Sequence, residues 1–73
     1  MRKSEELSNQ NSCFNRAKDN ELIFVLLGRD IAAPAAIRAW CRQRIRSKKN
    51  KADDAQIQEA RMCADLMEQE REK

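Results

Sequence analysis

The apolar positions of the chain fall into one continuous run followed by two periodic stretches. The run extends from Leu22 to Leu27, with Asn20 and Glu21 before it and Gly28 after it. A run of this length with turn residues at its ends is typical of a β-strand. Because the run is apolar at every position, both faces of such a strand need to be covered. The pattern therefore predicts a short N-terminal β-strand that a second subunit helps to bury.

An amphipathic helix is predicted after the strand. Asp30 or Ala33 is expected to cap it, and Pro34 falls in its first turn, where a missing N–H and a fixed φ are tolerated. The helix is expected to run to about Lys49. On a helical wheel its apolar positions gather on one side. That predicted core face consists of Ala33, Ala36, Ile37, Trp40, Cys41 and Ile45.

A second helix is predicted from Asp53 to about Glu70. Asp53 is followed three residues later by Gln56, which reads as a variant of the capping box. The connection between the two helices is short, so they are expected to pack as an antiparallel hairpin. The predicted fold class is therefore mostly α, with a strand and a helical hairpin in the order β-α-α, completed by self-association. The predicted core face of the second helix consists of Ile57, Ala60, Cys63, Ala64 and Met67.

The length of the chain limits its domain organisation. Seventy-three residues hold one domain at most, and a domain of this size buries only roughly 60% of its unfolded surface. Residues 1–20 contain few apolar side chains and are expected to form a flexible polar tail. Residues 21–73 then form the single β-α-α domain. A homo-oligomer, with a dimer as the first expectation, follows from so small a core.

Charge divides the chain more sharply than its net value of +3 suggests. Seven basic residues and no acidic one lie between Ile31 and Ala52, whereas seven acids lie from Asp53 onward. Clustered cations can bind an anionic partner such as a nucleic acid or a nucleotide. Equally, the two oppositely charged helices can attract one another. The candidate anion-binding residues are Arg38, Arg42, Arg44, Arg46, Lys48 and Lys49.

A second group of candidate residues is apolar. Ala55, Met62 and Leu66 lie on a side of the second helix that one partner helix does not cover. Exposed apolar stripes are common binding sites, so a protein-interaction module that inhibits or modulates a host protein is the alternative function. Trp40 shares a face with Ile37 and is expected to anchor the core. The candidate protein-interface residues are Leu22, Phe24, Leu26, Met62 and Leu66.

The residue types argue against catalysis and metal binding. The chain contains no His, so Cys41 and Cys63 lack an imidazole base, and an enzyme is not expected. Its three cysteines have no C-x-x-C spacing, so no zinc site and no cofactor is expected. No stretch approaches the roughly 20 apolar residues of a membrane span, and no signal-peptide core is present at the start. A cytoplasmic protein with reduced thiols is expected.

One segment is similar to a pattern found in known proteins. The stretch from Phe24 to Trp40 reads F-V-L-L-G-R-D-I-A-A-P-A-A-I-R-A-W, and it resembles the F-V-L-x-x-x-D-x-x-A-P-x-x-h-x-x-W stretch of small phage and prophage proteins. The residues from Glu59 to Glu68 resemble their closing E-A…A-D-x-M-E pattern. This resemblance implies a phage accessory protein, without implying an activity. Together with the basic helix, it suggests a small phage-type protein that acts by binding.

Overall fold

The computed structural model describes residues 1–71, and within that range the chain is helical without any β-strand. Two short helices precede two long ones. The predicted hairpin is present, whereas the predicted β-α-α order is wrong because residues 22–27 form no strand. The helices are α1 (Lys3–Ser8), α2 (Cys13–Arg16), α3 (Ala33–Arg46) and α4 (Ala55–Arg71).

Helices α3 and α4 pack against each other as an antiparallel hairpin. The side chain of Arg38 meets Asp65, and the guanidinium of Arg71 lies 3.5 Å from the carbonyl oxygen of Ile31, so the start of α3 lies beside the end of α4. The core between them is small. Its buried apolar residues among those described are Ala33, Cys41, Ile57, Ala60 and Ala64, with Ile37 and Ile45 packed against the cluster.

The C-terminus of α3 is closed by a Schellman motif, two hydrogen bonds that turn the chain back on the last helical turn. The N–H of Lys49 donates to the carbonyl of Arg44, and the N–H of Lys48 donates to the carbonyl of Ile45, each at 3.0 Å. Lys48 has a φ of 62°, the left-handed conformation that this motif requires. The helix therefore ends at Arg46, three residues before the expected end at Lys49.

The start of α4 also differs from the sequence-based expectation by a short distance. Asp54, and not Asp53, is the last residue before the helix, and its carbonyl accepts from the N–H of Gln58. The carboxylate of Asp54 points back to the loop, where it accepts from the N–H of Lys51 at 2.9 Å. The predicted capping box of Asp53 and Gln56 is therefore not formed.

The first twenty residues, predicted to be a flexible tail, contain α1 and α2 in a locally hydrogen-bonded turn. The side-chain amide of Asn15 donates to the carbonyl oxygens of Glu6, Leu7 and Asn9. Ser12 precedes α2, and its hydroxyl accepts from the N–H of Asn15. These bonds satisfy carbonyls at the end of α1 that have no partner within the helix. The expected domain over 21–73 ends two residues beyond the described range.

The N-terminal part also reaches the end of the hairpin. The guanidinium of Arg2 lies 2.7 Å from a carboxylate oxygen of Glu70, and this ion pair raises the pKa of Arg2. Both side chains are largely exposed, so the contact is a surface salt bridge of small energy. It places the start of α1 next to the last turn of α4.

Residues 22–27, hereafter the apolar segment, form neither a helix nor a strand. A β-strand needs a neighbour that accepts and donates its backbone hydrogen bonds. All other regular elements among residues 1–71 are helices, so the chain itself offers no such neighbour. Leu22 is 98% exposed and Phe24 is 87% exposed. The apolar run therefore did not identify a strand.

Trp40 does not anchor the core, in contrast to the expectation from the helical wheel. Its side chain is 40% exposed, whereas its neighbour Cys41 is buried between the helices. Ala60 and Ala64 of α4 are buried. Small residues allow two helices to pack closely, which leaves little room for an indole ring between them. None of the helices formed by residues 1–71 has the length and apolar character required to cross a membrane.

Candidate anion-binding site

The basic residues of the chain concentrate at the end of the hairpin where α3 connects to α4. We call this region the basic end. Its residues occupy the last two turns of α3 and the loop that follows, and most of their side chains are exposed. Cations in the last turn of a helix interact favourably with its dipole, which partly explains their position. The basic end consists of Arg42, Arg44, Arg46, Lys48 and Lys49.

Arg38 was predicted to belong to the same site, but the structure gives it a different environment. Its guanidinium donates to a carboxylate oxygen of Asp65 at 2.7 Å and to one of Glu68. Hydrogen bonding to Glu68, followed by that to Asp65, raises the pKa of Arg38. The two acids lie one turn apart on α4, and both contact the same guanidinium nitrogen, Nη2. Its charge is therefore compensated within the chain.

No such compensation reaches the basic end. Within residues 1–71, the side-chain ion pairs closer than 4 Å join Arg2 to Glu70 and Arg38 to Asp65 and Glu68. The attraction between a basic and an acidic helix thus involves only one arginine of α3. Within residues 1–71, the other basic side chains of α3 and its loop have no acidic partner within 4 Å.

Arg44 is held in place by two neighbours that are not acids. Its Nε donates to the side-chain oxygen of Asn50 at 2.6 Å, and its guanidinium carbon lies 5.6 Å from the centre of the Trp40 ring. The distance to the ring is within the range of cation–π attraction. Asn50 in turn donates to Asp54 and Gln56 at the start of α4. Arg44 is therefore ordered by the loop while it keeps its charge.

A shallow surface depression adjoins the basic end on the other side of α3. It is lined by Arg38, Arg42, Arg61 and Asp65. Arg61 comes from α4, and sequence reasoning missed it because it stands alone among acidic residues. Its spacing of four residues before Asp65 was the available signal, because that spacing places both on one helix face. Arg42 and Arg61 thus bring two guanidinium groups from different helices to one depression, and neither has an acidic partner within 4 Å among residues 1–71.

The predicted protein-interface residues lie in two separate regions. Leu22 and Phe24 belong to the apolar segment and are almost fully exposed, while Leu26 is half-buried. Met62 is 62% exposed and Leu66 is 44% exposed, and they lie one turn apart on α4.

The cysteines occupy three different environments. Cys13 is exposed, Cys41 is buried and Cys63 is half-buried, and all three are free thiols. Among residues 1–71, no three or more Cys, Asp or Glu side chains come together in a way that could hold a metal ion.

Comparison with known proteins returned no match. No protein-family model, no curated protein and no solved structure is significantly similar to this chain.

Proposed function

We propose that this protein acts by binding an anionic partner, with nucleic acid as the principal class, through the basic end of its helical hairpin. The observation that carries this proposal is the contrast between Arg38, which two acids of α4 hold, and the cations of the basic end, which have no acidic partner within residues 1–71.

The chemistry of the basic end suits phosphate groups. Arg42 and Arg46 are one turn apart on α3, so their guanidinium groups can meet successive phosphates along a backbone. Lys48 and Lys49 extend the positive charge beyond the helix. The only aromatic residue at this site is Trp40, whose ring already lies beside Arg44. Contacts of this kind position a nucleic acid without reading its bases, so binding is expected to have little sequence selectivity.

The proposal is tested by fluorescence anisotropy with short labelled oligonucleotides of mixed sequence, as single-stranded DNA, single-stranded RNA and duplex DNA. We expect binding at low salt that weakens as salt rises, because phosphate neutralisation releases counterions. The double variant Arg42→Ala/Arg46→Ala should lose on the order of tenfold in affinity. A parallel titration with a nucleoside triphosphate distinguishes a nucleotide from a polymer as the ligand.

A charge-matched control separates the site from net charge. The variant Lys3→Ala/Lys18→Ala also removes two positive charges from the formal +3, but from the N-terminal part of the chain. It should bind like the wild type. Undetectable affinity of the wild type for every oligonucleotide and nucleotide at low salt would reject the proposal. Equal losses in the two double variants would show that net charge, and not the basic end, governs binding.

The biological setting is also a proposal. The resemblance of the stretch from Phe24 to Trp40 to small phage and prophage proteins supports a role as a phage accessory protein in the cytoplasm of a bacterial host. A protein of this kind would meet both phage and host nucleic acids. Its small size and lack of histidine fit a binding role better than a catalytic one.

A second candidate function is supported by the exposure of Met62 and Leu66. Two large apolar side chains one turn apart on a helix can dock into an apolar groove of a host protein. The variant Met62→Ala/Leu66→Ala should then abolish capture of that protein from nuclease-treated host lysate. The exposed neighbour Gln69 supplies the control, because Gln69→Ala should leave capture unchanged. If the wild type, Met62→Ala/Leu66→Ala and Gln69→Ala all captured the same proteins, that result would argue against this function.

A further inference from the structure

Arg61 of α4 is a basic residue that the proposed function does not use. Its side chain is half-buried and lines the same surface depression as Arg42 of α3. Among residues 1–71, neither guanidinium has an acidic partner within 4 Å. Two cations from different helices therefore share one surface.

The pairing of α3 with α4 places these two arginines opposite each other. The guanidinium of Arg38 donates to Asp65 across the interface at 2.7 Å. In a pair of antiparallel helices, one turn forward on the first lies opposite one turn back on the second. Arg42 comes four residues after Arg38, and Arg61 comes four residues before Asp65. The pair that follows Arg38 and Asp65 towards the loop thus consists of two arginines.

The acids nearby do not neutralise this pair. Asp65 also lines the depression, but its carboxylate already accepts from Arg38, and Glu68 contacts the same nitrogen of Arg38. Three arginines and these two acids leave an excess of one positive charge. Like charges that face each other repel, and an anion placed between them converts that repulsion into two attractions. The depression therefore favours an anionic ligand.

We propose that one phosphate group of a nucleic-acid backbone binds in this depression, held by Arg42 from α3 and by Arg61 from α4. The inference rests on the proposed function and adds a contact from the second helix. A phosphodiester group has two unesterified oxygens, and a guanidinium donates N–H bonds to such oxygens in a fixed geometry. The bound strand then crosses both helices of the hairpin, and does not follow α3 alone.

The character of the depression fits a phosphate that belongs to a strand. It is shallow, so the backbone on both sides of a bound phosphate can leave it freely. Its lining, within the described part of the chain, consists of charged side chains. They offer hydrogen-bond donors and charge, but no aromatic surface on which a base could stack. The site is therefore expected to hold the sugar–phosphate backbone, in line with low sequence selectivity.

Fluorescence anisotropy with the same labelled oligonucleotides tests the role of Arg61. Arg61→Gln keeps most of the half-buried stem and removes the charge, so it should weaken binding about fivefold at low salt. Arg71→Gln is the matched control on the same helix. Arg71 lies at the opposite end of the hairpin, 3.5 Å from the carbonyl oxygen of Ile31, and its variant should bind like the wild type. Helix content measured by circular dichroism verifies that each variant is folded.

A double-mutant cycle tests whether the two arginines share one phosphate. When either arginine is lost, the phosphate is no longer held between the helices, and the other arginine should contribute less. The combined loss of affinity in Arg42→Ala/Arg61→Gln should therefore be smaller than the product of the two single losses. Arg46 lies one turn beyond Arg42, outside the lining of the depression, so Arg46→Ala/Arg61→Gln should show the full product. Independent losses in both cycles would overturn the shared phosphate.

The salt dependence of binding counts the phosphates involved. Loss of one phosphate contact lowers the slope of log affinity against log salt by about 0.7 for single strands and about 0.9 for duplex DNA. Arg42→Ala/Arg61→Gln removes two arginines but only one phosphate contact. Its effect on the slope should therefore be about half that of Arg42→Ala/Arg46→Ala. Equal effects would assign a separate phosphate to each arginine and overturn the proposal.

These outcomes separate the inference from the proposed function. If Arg42→Ala/Arg46→Ala weakens binding and Arg61→Gln does not, the basic end remains the site and the contact from α4 is rejected. A wild type that binds no oligonucleotide at low salt rejects both. If Arg61→Gln impairs only the binding of a nucleoside triphosphate, the depression belongs to a nucleotide, and the proposal of a bound strand is overturned.

Discussion

The guanidinium of Arg38 lies 2.7 Å from a carboxylate oxygen of Asp65, across the interface between the two long helices. Glu68, one turn further along α4, holds the same arginine. This contact separates the basic residues of α3 into two kinds. Arg38 links the helices, whereas Arg42 and the cations beyond it have no acidic partner within residues 1–71. The distinction between structural and available charge underlies the functional proposal.

The first prediction concerns the stability of this link. Arg38→Ala should slightly lower the melting temperature at low salt, because it removes an ion pair and leaves two neighbouring carboxylates without their cation. The difference in melting temperature from the wild type should shrink as salt rises, because salt screens both the lost attraction and the repulsion between the two carboxylates. Circular dichroism melts at several salt concentrations measure it. Arg42→Ala is the control, and its melting temperature should show no comparable salt-dependent decrease.

A second prediction concerns the left-handed residue at the end of α3. Lys48 has a φ of 62°, a conformation that is costly for a residue with a side chain and free for glycine. Lys48→Gly should therefore raise the free energy of unfolding by up to about 1 kcal/mol. Urea unfolding followed by circular dichroism measures the change. Lys49→Gly removes the same charge at a residue without positive φ and should lower stability instead.

Truncation in the core should have a much larger effect than truncation at the surface. Ile57 is fully buried between α3 and α4, so Ile57→Ala should cost about 2–4 kcal/mol in unfolding free energy. That loss is large for so small a domain and would leave much of the chain unfolded. Met62→Ala, on the exposed side of the same helix, should change stability by less than about 1 kcal/mol. Similar losses in both variants would contradict the packing described.

The loop carboxylate of Asp54 predicts a dependence of stability on pH. Hydrogen bonds from the backbone of Lys51 and the side chain of Asn50 lower the pKa of Asp54 below its ordinary value. The folded state thus favours the charged form. The contribution of this carboxylate to stability is fully present above the pKa that Asp54 has in the unfolded chain. It is lost as pH falls through the lower pKa that Asp54 has in the folded chain.

The corresponding measurement compares neighbouring aspartates. Asp54→Ala should be less stable than the wild type at neutral pH, and its stability should fall less steeply on acidification. Asp53 forms no such bonds, so Asp53→Ala should keep the wild-type slope. Urea unfolding at a series of pH values between neutral and strongly acidic conditions gives both slopes. A wild-type slope in Asp54→Ala would contradict the role assigned to the loop.

The helical hairpin could be predicted from the sequence because its signals are local. Periodic apolar positions from Ala33 to Ile45 and a short polar connection indicate two antiparallel helices in any context. The ends of the helices were displaced by one to three residues. The left-handed turn at Lys48 and the cap at Asp54 depend on backbone geometry that residue types specify only weakly.

The strand and the environment of Arg38 could not be predicted in the same way. The apolar run indicates that a surface needs cover, but a strand exists only where a partner backbone is present, which the sequence of one chain does not reveal. The pairing of Arg38 depends on the rotation of α3 relative to α4. In the structure Cys41 is buried between the helices and Trp40 is 40% exposed.

The salt dependence of nucleic-acid binding tests the central claim most directly. Each phosphate contact contributes about 0.7 to the slope of log affinity against log salt for single strands and about 0.9 for duplex DNA. Arg42→Ala/Arg46→Ala removes two contacts and should reduce the magnitude of the slope by about 1.4 to 1.8, while Lys3→Ala/Lys18→Ala should leave it unchanged. A slope unaltered by loss of Arg42 and Arg46 would contradict the claim that the basic end is the anion-binding site.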